Sequence, residues 1–477
     1  MGNLRIPLFL FFFHIFSLLF ALSSARFSPP DNHLIACGSA SSSTLDDRRV
    51  FVPDSAAIVC SSGSKISVST APPDASPASS PLFRTARVFT RPSSYEFQIK
   101  QKGTHIIRLH FYPFSSRDFN LSSALFHVSA SGFVLLTDFG TSFPQLKEYL
   151  VRVDAEKLLI SFAPARRSSF AFVNAIEVIS APEDLIGDTA RLVNPDRIEK
   201  FDGLSRQAME TLYRLNVGGP KVTPFNDTLW RTWVPDAGFK NSDSVSKTVA
   251  FSGRIVYREG GASREVAPDN VYNTARVMDG AKVSDSNSNM TWVFAVSSGY
   301  KYLIRMHFCD IASRALNELY FNVYVNGYLA YEDFDLSSAI YFLASPYYVD
   351  FVAGVDSSEQ LLSVSIVPSK HNSHLRINGL LNGLEIMKMN NTLGSLDGGS
   401  PIILVLESPA RRGFGEFLRS VVCGLAFMSL LVIGFMLLLR WRAETKNTGT
   451  WLPLPTDVSG GKLADGNPVV SGKLVYS

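Results

Sequence analysis

The chain is written twice. Val52-Pro53-Asp54 returns as Val234-Pro235-Asp236, and Thr85-Ala86-Arg87-Val88 as Thr274-Ala275-Arg276-Val277. Arg108-Leu109-His110-Phe111 returns as Arg305-Met306-His307-Phe308, and the run from Phe126 to Phe139 as Phe321 to Phe334. Asn174-Ala175-Ile176-Glu177 returns as Asn382-Gly383-Leu384-Glu385. Order is kept while the spacing drifts with loop length. A duplication of this kind confines the fold to one that each half can form around its own core.

Within each half the pattern is that of strands. In Thr104 to Phe111, Ile106, Arg108 and His110 fall on one side and Ile107, Leu109 and Phe111 on the other, the period of a half-buried strand. Ser94 to Ile99, Glu148 to Val153, Lys157 to Phe162 and Phe172 to Ile179 complete the first set. Thr291 to Val296, Lys301 to Phe308, Phe321 to Tyr331, Leu361 to Val367 and Leu384 to Met389 form the second. Ser131-Gly132 reads as a hairpin turn, and Asn326-Gly327 is the stronger hairpin signal, because both of its residues tolerate positive φ. The expected fold is all-β, two tandem sandwiches over residues 26–180 and 214–389. Residues 181–213 form a connector that packs against the domains, and Ser205 to Tyr213 has the spacing of a short amphipathic helix.

The flanks place the chain. Residues 1–25 read as a secretory signal: Arg5, an apolar run from Ile6 to Leu22, then Ser23-Ser24-Ala25. Ser420 to Leu439 carries no charge and has the length of a single transmembrane helix, with Arg440-Trp441-Arg442 at its end. This predicts an exterior N-terminal region, a juxtamembrane stalk over 390–419, and a disordered cytoplasmic tail over 440–477. Asn120, Asn226, Asn289 and Asn390 open Asn-x-Ser/Thr sequons on the exterior side. Cys37 and Cys60 are candidates for a disulfide in an oxidising compartment. Cys309 reads as a buried thiol and Cys423 falls within the span.

A net charge of +3 does not suggest a nucleic-acid partner. The sequence has no Gly-x-Ser-x-Gly elbow and no His-Glu-x-x-His, so no catalytic residue and no cofactor is assigned. His371 and His374 share a polar loop, where solvation is the plainer reading and metal binding the weaker one. His110 and His307 each share a strand face with an arginine, and repetition favours a structural pair over a binding site. Trp230, Trp233, Tyr300, Tyr302, Tyr347 and Tyr348 are candidates for stacking on a sugar or burying a peptide, against the plainer reading that large aromatics serve the core.

Leu215-Asn216-Val217-Gly218-Gly219, Trp230-Arg231-Thr232-Trp233, Ala267-Pro268-Asp269-Asn270-Val271-Tyr272 and Leu381-Asn382-Gly383-Leu384-Glu385-Ile386 resemble the malectin-like ectodomain of plant receptor-like kinases, the Catharanthus-type set that includes FERONIA and THESEUS. The resemblance covers roughly residues 34–389 plus the span. It implies tandem malectin-like, jelly-roll-like sandwiches and a single-pass plasma-membrane protein facing the cell wall. It implies as ligand a wall polysaccharide or a secreted rapid-alkalinisation peptide, the latter with a lipid-anchored co-receptor or a partner kinase. Family members continue into a Ser/Thr kinase, whose motifs are missing from the tail. Asp138-Phe139-Gly140 lies in the first repeat and reads as a strand end. The expected function is therefore a receptor-like binding protein, not an enzyme as given. The alternatives are a truncated piece of a receptor kinase, a wall-sugar-active enzyme, and a wall–membrane tether.

Overall fold

A computed structural model of the chain describes residues 27–54, 58–59, 65–69, 80–241, 246–279, 289–355, 360–370, 377–399 and 433–439. Each repeat folds as a β-sandwich. In the first, Ile107, Leu109 and Phe111 point into a core with Tyr95, Phe97, Phe126 and Phe162. In the second, Ile304, Met306 and Phe308 do the same with Trp292, Phe321 and Phe334. The strands Phe126–Ala130 and Phe133–Phe139 turn at Ser131 and Gly132, with φ of 48° and 85°. Tyr320–Val325 and Tyr328–Asp335 turn at Asn326 and Gly327, with φ of 50° and 79°. Positive φ at both central residues matches the twist of the flanking strands, as the sequence predicted.

The repeated landmarks meet in space. Asp54 accepts from Arg87, from the Gly38 N–H at 3.1 Å and from the Tyr95 hydroxyl at 3.0 Å. Asp236 accepts from Arg276, from the Gly218 N–H at 3.1 Å and from the Trp292 indole at 2.9 Å. Both glycines have φ of 74°, and a Cβ on either would strike the carbonyl of Ala86 or Ala275. Asn174 and Asn382 repeat in the same way: each donates through its amide to the carbonyl of Thr85 or Thr274, both at 2.9 Å. Burial is complete for Asp54, Asn174 and Asn382, so each carries the partners that a buried polar group requires.

The sandwiches share one sheet of thirteen strands. Its seam is Met209–Asn216, which pairs Gly383–Met389 from Met209↔Met389 to Asn216↔Gly383. At its start the same strand pairs Gln145–Val153 of the first sandwich, through Tyr149↔Glu210 and Leu150↔Met209. The predicted helix over Ser205–Tyr213 is thus replaced by a 3-10 turn at Leu204–Arg206 and a strand. Two strands with open edges flank this stretch, and pairing with both outweighs a weak helical spacing. The connector also forms the hairpin Thr189–Val193 and Ile198–Asp202, which extends the sheet beyond Pro346–Gly354.

Behind the seam lies a third core: Ile106, Ala175 and Ile179 from the first sandwich, Leu303, Val352 and Met387 from the second, and Leu185, Ile186 and Leu204 from the connector. Through it runs a chain of buried charges. Arg108 contacts Glu148 at 2.6 Å and Glu177 at 2.8 Å. Arg214, on the seam, contacts Glu148 at 2.7 Å and Glu385 at 2.6 Å. His110 meets Glu177 at 2.9 Å and His307 meets Glu385 at 3.1 Å. The histidines and arginines singled out in the sequence are thus each held by a buried carboxylate, with Arg305 on Asp350.

After Met389 the chain returns to the first sandwich. The Val134 N–H donates to the Gly394 carbonyl at 3.0 Å, and the Leu396 N–H to the Val134 carbonyl at 2.9 Å. Asp397 accepts from the Thr137 N–H at 2.9 Å. Leu396 is fully buried in the first core. This strap belongs to the stretch read from sequence as a stalk. The signal (1–25), Cys60, His371, His374, Cys423 and the tail lie outside the described residues. Of the predicted span only 433–439 is described, as exposed helix. Among the described residues no helix is long and apolar enough to cross a membrane.

Two predictions follow from burial and charge. Leu396→Ala lowers unfolding stability by about 2–5 kcal/mol, whereas exposed Leu393→Ala changes it by about 0.5 kcal/mol or less, both read from urea titrations. Burial pushes the Glu148 carboxyl up, but Arg214 and Arg108 outweigh it and hold it at about 2, against 4.5 for an ordinary glutamate. A depressed folded pKa stabilises above the unfolded value, and that contribution is lost as pH falls from about 4.5 toward 2. The urea midpoint is expected to fall across that window, and Glu148→Gln to reduce the fall while lowering the midpoint at neutral pH.

Candidate ligand cleft

An open cleft of about 670 Å³ lies at the outer side of the second sandwich, within the size range of ligand sites. Tyr347, Tyr348, Val349 and Asp350 of the strand Pro346–Gly354 form one wall. The connector forms the other, with Gly187, Thr189, Ala190 and Arg191, followed by Ile198, Glu199 and Lys200. Gly260 and Gly261 close one end. Glycine is required at 261, because a Cβ there would lie 2.5 Å from the Pro346 carbonyl oxygen and 2.8 Å from Ile340.

The tyrosines are held by their strand neighbours. Successive side chains point to opposite faces, so Tyr347 packs on the second core while Tyr348 lies over Arg305, 4.4 Å from guanidinium carbon to ring centre. Arg305 is fixed by Asp350 through two bonds of 2.8 and 2.7 Å and by the Leu185 carbonyl at 2.6 Å. Arg191 stacks on Tyr331 at 3.9 Å. Burial raises the pKa of both tyrosines, with Arg305 pulling Tyr348 partly back, so each hydroxyl stays a neutral donor. Among the described residues neither hydroxyl has a hydrogen-bond partner. Charges of both signs line the rim: Glu199 pairs with Arg197 and Lys200 with Asp202. Such a surface suits a polar ligand without a strong net charge.

Of the six aromatic candidates, Tyr347 and Tyr348 come together here. Trp233 and Tyr302 have no exposed surface and belong to the interior: the Trp233 indole donates to Asp227 at 3.0 Å and the Tyr302 hydroxyl to the Ser297 carbonyl. They cannot contact a ligand, and the plainer reading holds for both. Trp230 is half-buried with φ of 55°, near Arg49 at 5.7 Å. Tyr300 is half-buried beside Lys388 at 5.3 Å. Neither lines the cleft. The sequence reading missed Arg191, Lys200 and Gly260-Gly261; the alternation in the connector and the paired glycines were the available signals.

Asn120, Asn226 and Asn289 are exposed. Asn390 is half-buried, and its side-chain oxygen accepts from the Ala208 N–H at 2.8 Å. Cys37 is a buried thiol whose pKa burial pushes up; the pairing expected with Cys60 falls on a residue that is not described. Cys309 is buried with its thiol free, as read from the sequence. Among the described residues no three His, Cys, Asp or Glu side chains are grouped to hold a metal.

The family model described as "Malectin-like domain" matches residues 35–389. The probable receptor-like protein kinase At5g24010 of Arabidopsis thaliana is 43% identical over 450 residues, covering 92% of this chain and 53% of the relative. The receptor-like protein kinase THESEUS 1 of Arabidopsis thaliana is 42% identical over 390 residues, covering 80% and 44%. The chain thus spans about half the length of the curated relatives it matches. A crystal structure of the plant peptide RALF23 in complex with FER and LLG2 contains a chain 30% identical to this one. The match has a TM-score of 0.67 and covers 79% of this chain and 100% of that one.

The division of the aromatics into interior and cleft is testable by stability alone. Trp233→Ala is expected to cost about 3–5 kcal/mol in urea unfolding, and Tyr347→Ala, half-exposed, about 1 kcal/mol.

Proposed function

This chain belongs to the malectin-like family, with FERONIA- and THESEUS-like receptor kinases as its relatives, and we propose that its two sandwiches are the ligand-binding ectodomain of a cell-surface receptor. The ligand is a secreted peptide, and the binding surface is the cleft between Tyr347-Tyr348 and the connector hairpin. The observation that carries this reading is the pair of unpartnered tyrosine hydroxyls, held on a rigid strand above a cleft with balanced charge. Tyrosine gives large contact area with few rotamers to freeze and a donor at its tip. The likeness to a chain crystallised with RALF23 and LLG2 supports a peptide ligand with a co-receptor. The same reading puts the protein in the plasma membrane through a single span at 420–439, with glycans on Asn120, Asn226 and Asn289. Signalling rests on a kinase, in cis as in the relatives or in a partner.

Calorimetric titration of the detergent-solubilised full chain with RALF23, with and without LLG2, tests the proposal against wall oligosaccharides as the competing class. Saturable peptide binding, weakened about tenfold by Tyr347→Ala, is expected. Binding of an oligosaccharide with no heat from the peptide would overturn it in favour of a wall-polymer sensor.

A further inference from the structure

The cleft includes a gap in the plane of the sheet. Pro346–Gly354 is paired along its whole length with Lys301–Cys309, from Cys309↔Pro346 to Lys301↔Gly354. On its other side the ladder with the connector begins only at Arg191↔Phe351 and runs to Val193↔Ala353. Before that point the connector diverges, and Gly187 stands where a Cβ would meet nothing within 4 Å. The far end is closed by the Ala262 N–H, which donates to the Pro346 carbonyl at 2.9 Å. Between these two closures, Tyr348 meets no backbone partner on the connector side among the described residues, while the Arg191↔Phe351 pairing already engages the Asp350 carbonyl.

Alternation fixes which groups are left open. The Pro346 carbonyl faces Ala262, away from Lys301–Cys309, and residues two apart in a strand direct their backbone groups the same way. The N–H and C=O of Tyr348 therefore face the cleft. The lining agrees: Tyr347 and Tyr348 point to opposite faces of the sheet, yet both border the same space. The cleft therefore reaches the edge of that strand as well as its faces, and it extends across the connector hairpin to Ile198, Glu199 and Lys200. The stretch that borders the cleft, Tyr347 to Asp350, is about 13 Å long at the rise of a strand.

We infer that the cleft takes its ligand by strand addition: an extended peptide segment of about four residues pairs with the open backbone at Tyr348, and its alternate side chains lie against Tyr347 and Tyr348. This inference rests on the peptide-receptor reading and specifies how that site works. The chemistry recognised is main-chain amide in extended form, which a polysaccharide does not supply. Charged residues on the outermost strand, Glu199, Lys200 and Asp202, discourage pairing at the sheet's true edge and leave the gap as the open site.

Hydrogen exchange of the full chain with RALF23 and LLG2, read by mass spectrometry, tests this. Peptic segments containing Tyr348 should exchange at least about tenfold more slowly in the complex, as expected when an open amide gains a partner. Tyr348→Ala removes the ring and keeps the N–H; Tyr348→Pro removes both, and proline is tolerated where a strand's N–H faces outward. The alanine variant should weaken binding about tenfold, as removal of a ring that the peptide lies against does, and the proline variant about tenfold further, each checked for folding by its melting transition. Peptide binding that leaves Tyr348 unprotected, or that the proline variant retains, overturns strand addition and leaves the receptor reading standing. Absence of peptide binding to the wild-type chain overturns both.

Discussion

Arg214 holds one carboxylate of each sandwich, Glu148 and Glu385, from a strand hydrogen-bonded to both halves. The relation between the repeats depends on that strand. Buried ion pairs of this kind add little net stability compared with a well-packed apolar core, but removing one partner leaves an uncompensated charge. Their effect here is on register: a seam strand slipped by one residue would turn Arg214 to the opposite face, leaving Glu148 with Arg108 alone and Glu385 with His307 alone. The continuous sheet and the charge chain therefore enforce the same arrangement, and the third core behind them excludes water from it.

Duplication made most of the fold legible. The landmarks recur because each sandwich needs the same buried clamp, an aspartate holding an arginine, a backbone N–H and an aromatic donor, and few residue types can supply it. Glycines at 38 and 218 follow from the same clamp. The seam was not legible. Its residues satisfy a helical spacing over Ser205–Tyr213 and a strand alternation over Met209–Asn216 alike, and only open edges far away in sequence decide between them. The strap was hidden for a related reason: its one deeply buried apolar side chain, Leu396, lies among Gly394, Ser395, Asp397 and Gly398, which read as loop.

The site was half legible. Aromatic residues were the right type to single out, yet burial splits them: Trp233 and Tyr302 fill the interior, while Tyr347 and Tyr348 border open space. What makes their cleft distinctive is backbone without a partner, and unpaired backbone has no residue code. It arises where the connector, anchored through the Leu185 carbonyl on Arg305 and through Arg191 on Tyr331, joins the sheet too late to complete it.

The strap has a mechanical consequence. The chain leaves the second sandwich at Met389, yet the last segment described, up to Gly399, is fastened to the first. Tension applied from the C-terminal side reaches the contact of Gly398 with Tyr300, and then Thr137 and Val134, before it reaches any strand of the second sandwich. The load path thus runs through the buried Leu396 and a few backbone hydrogen bonds, which act as a fuse: they give way first, at modest force, and release a short length of slack while the clamps and cores of both sandwiches stay intact.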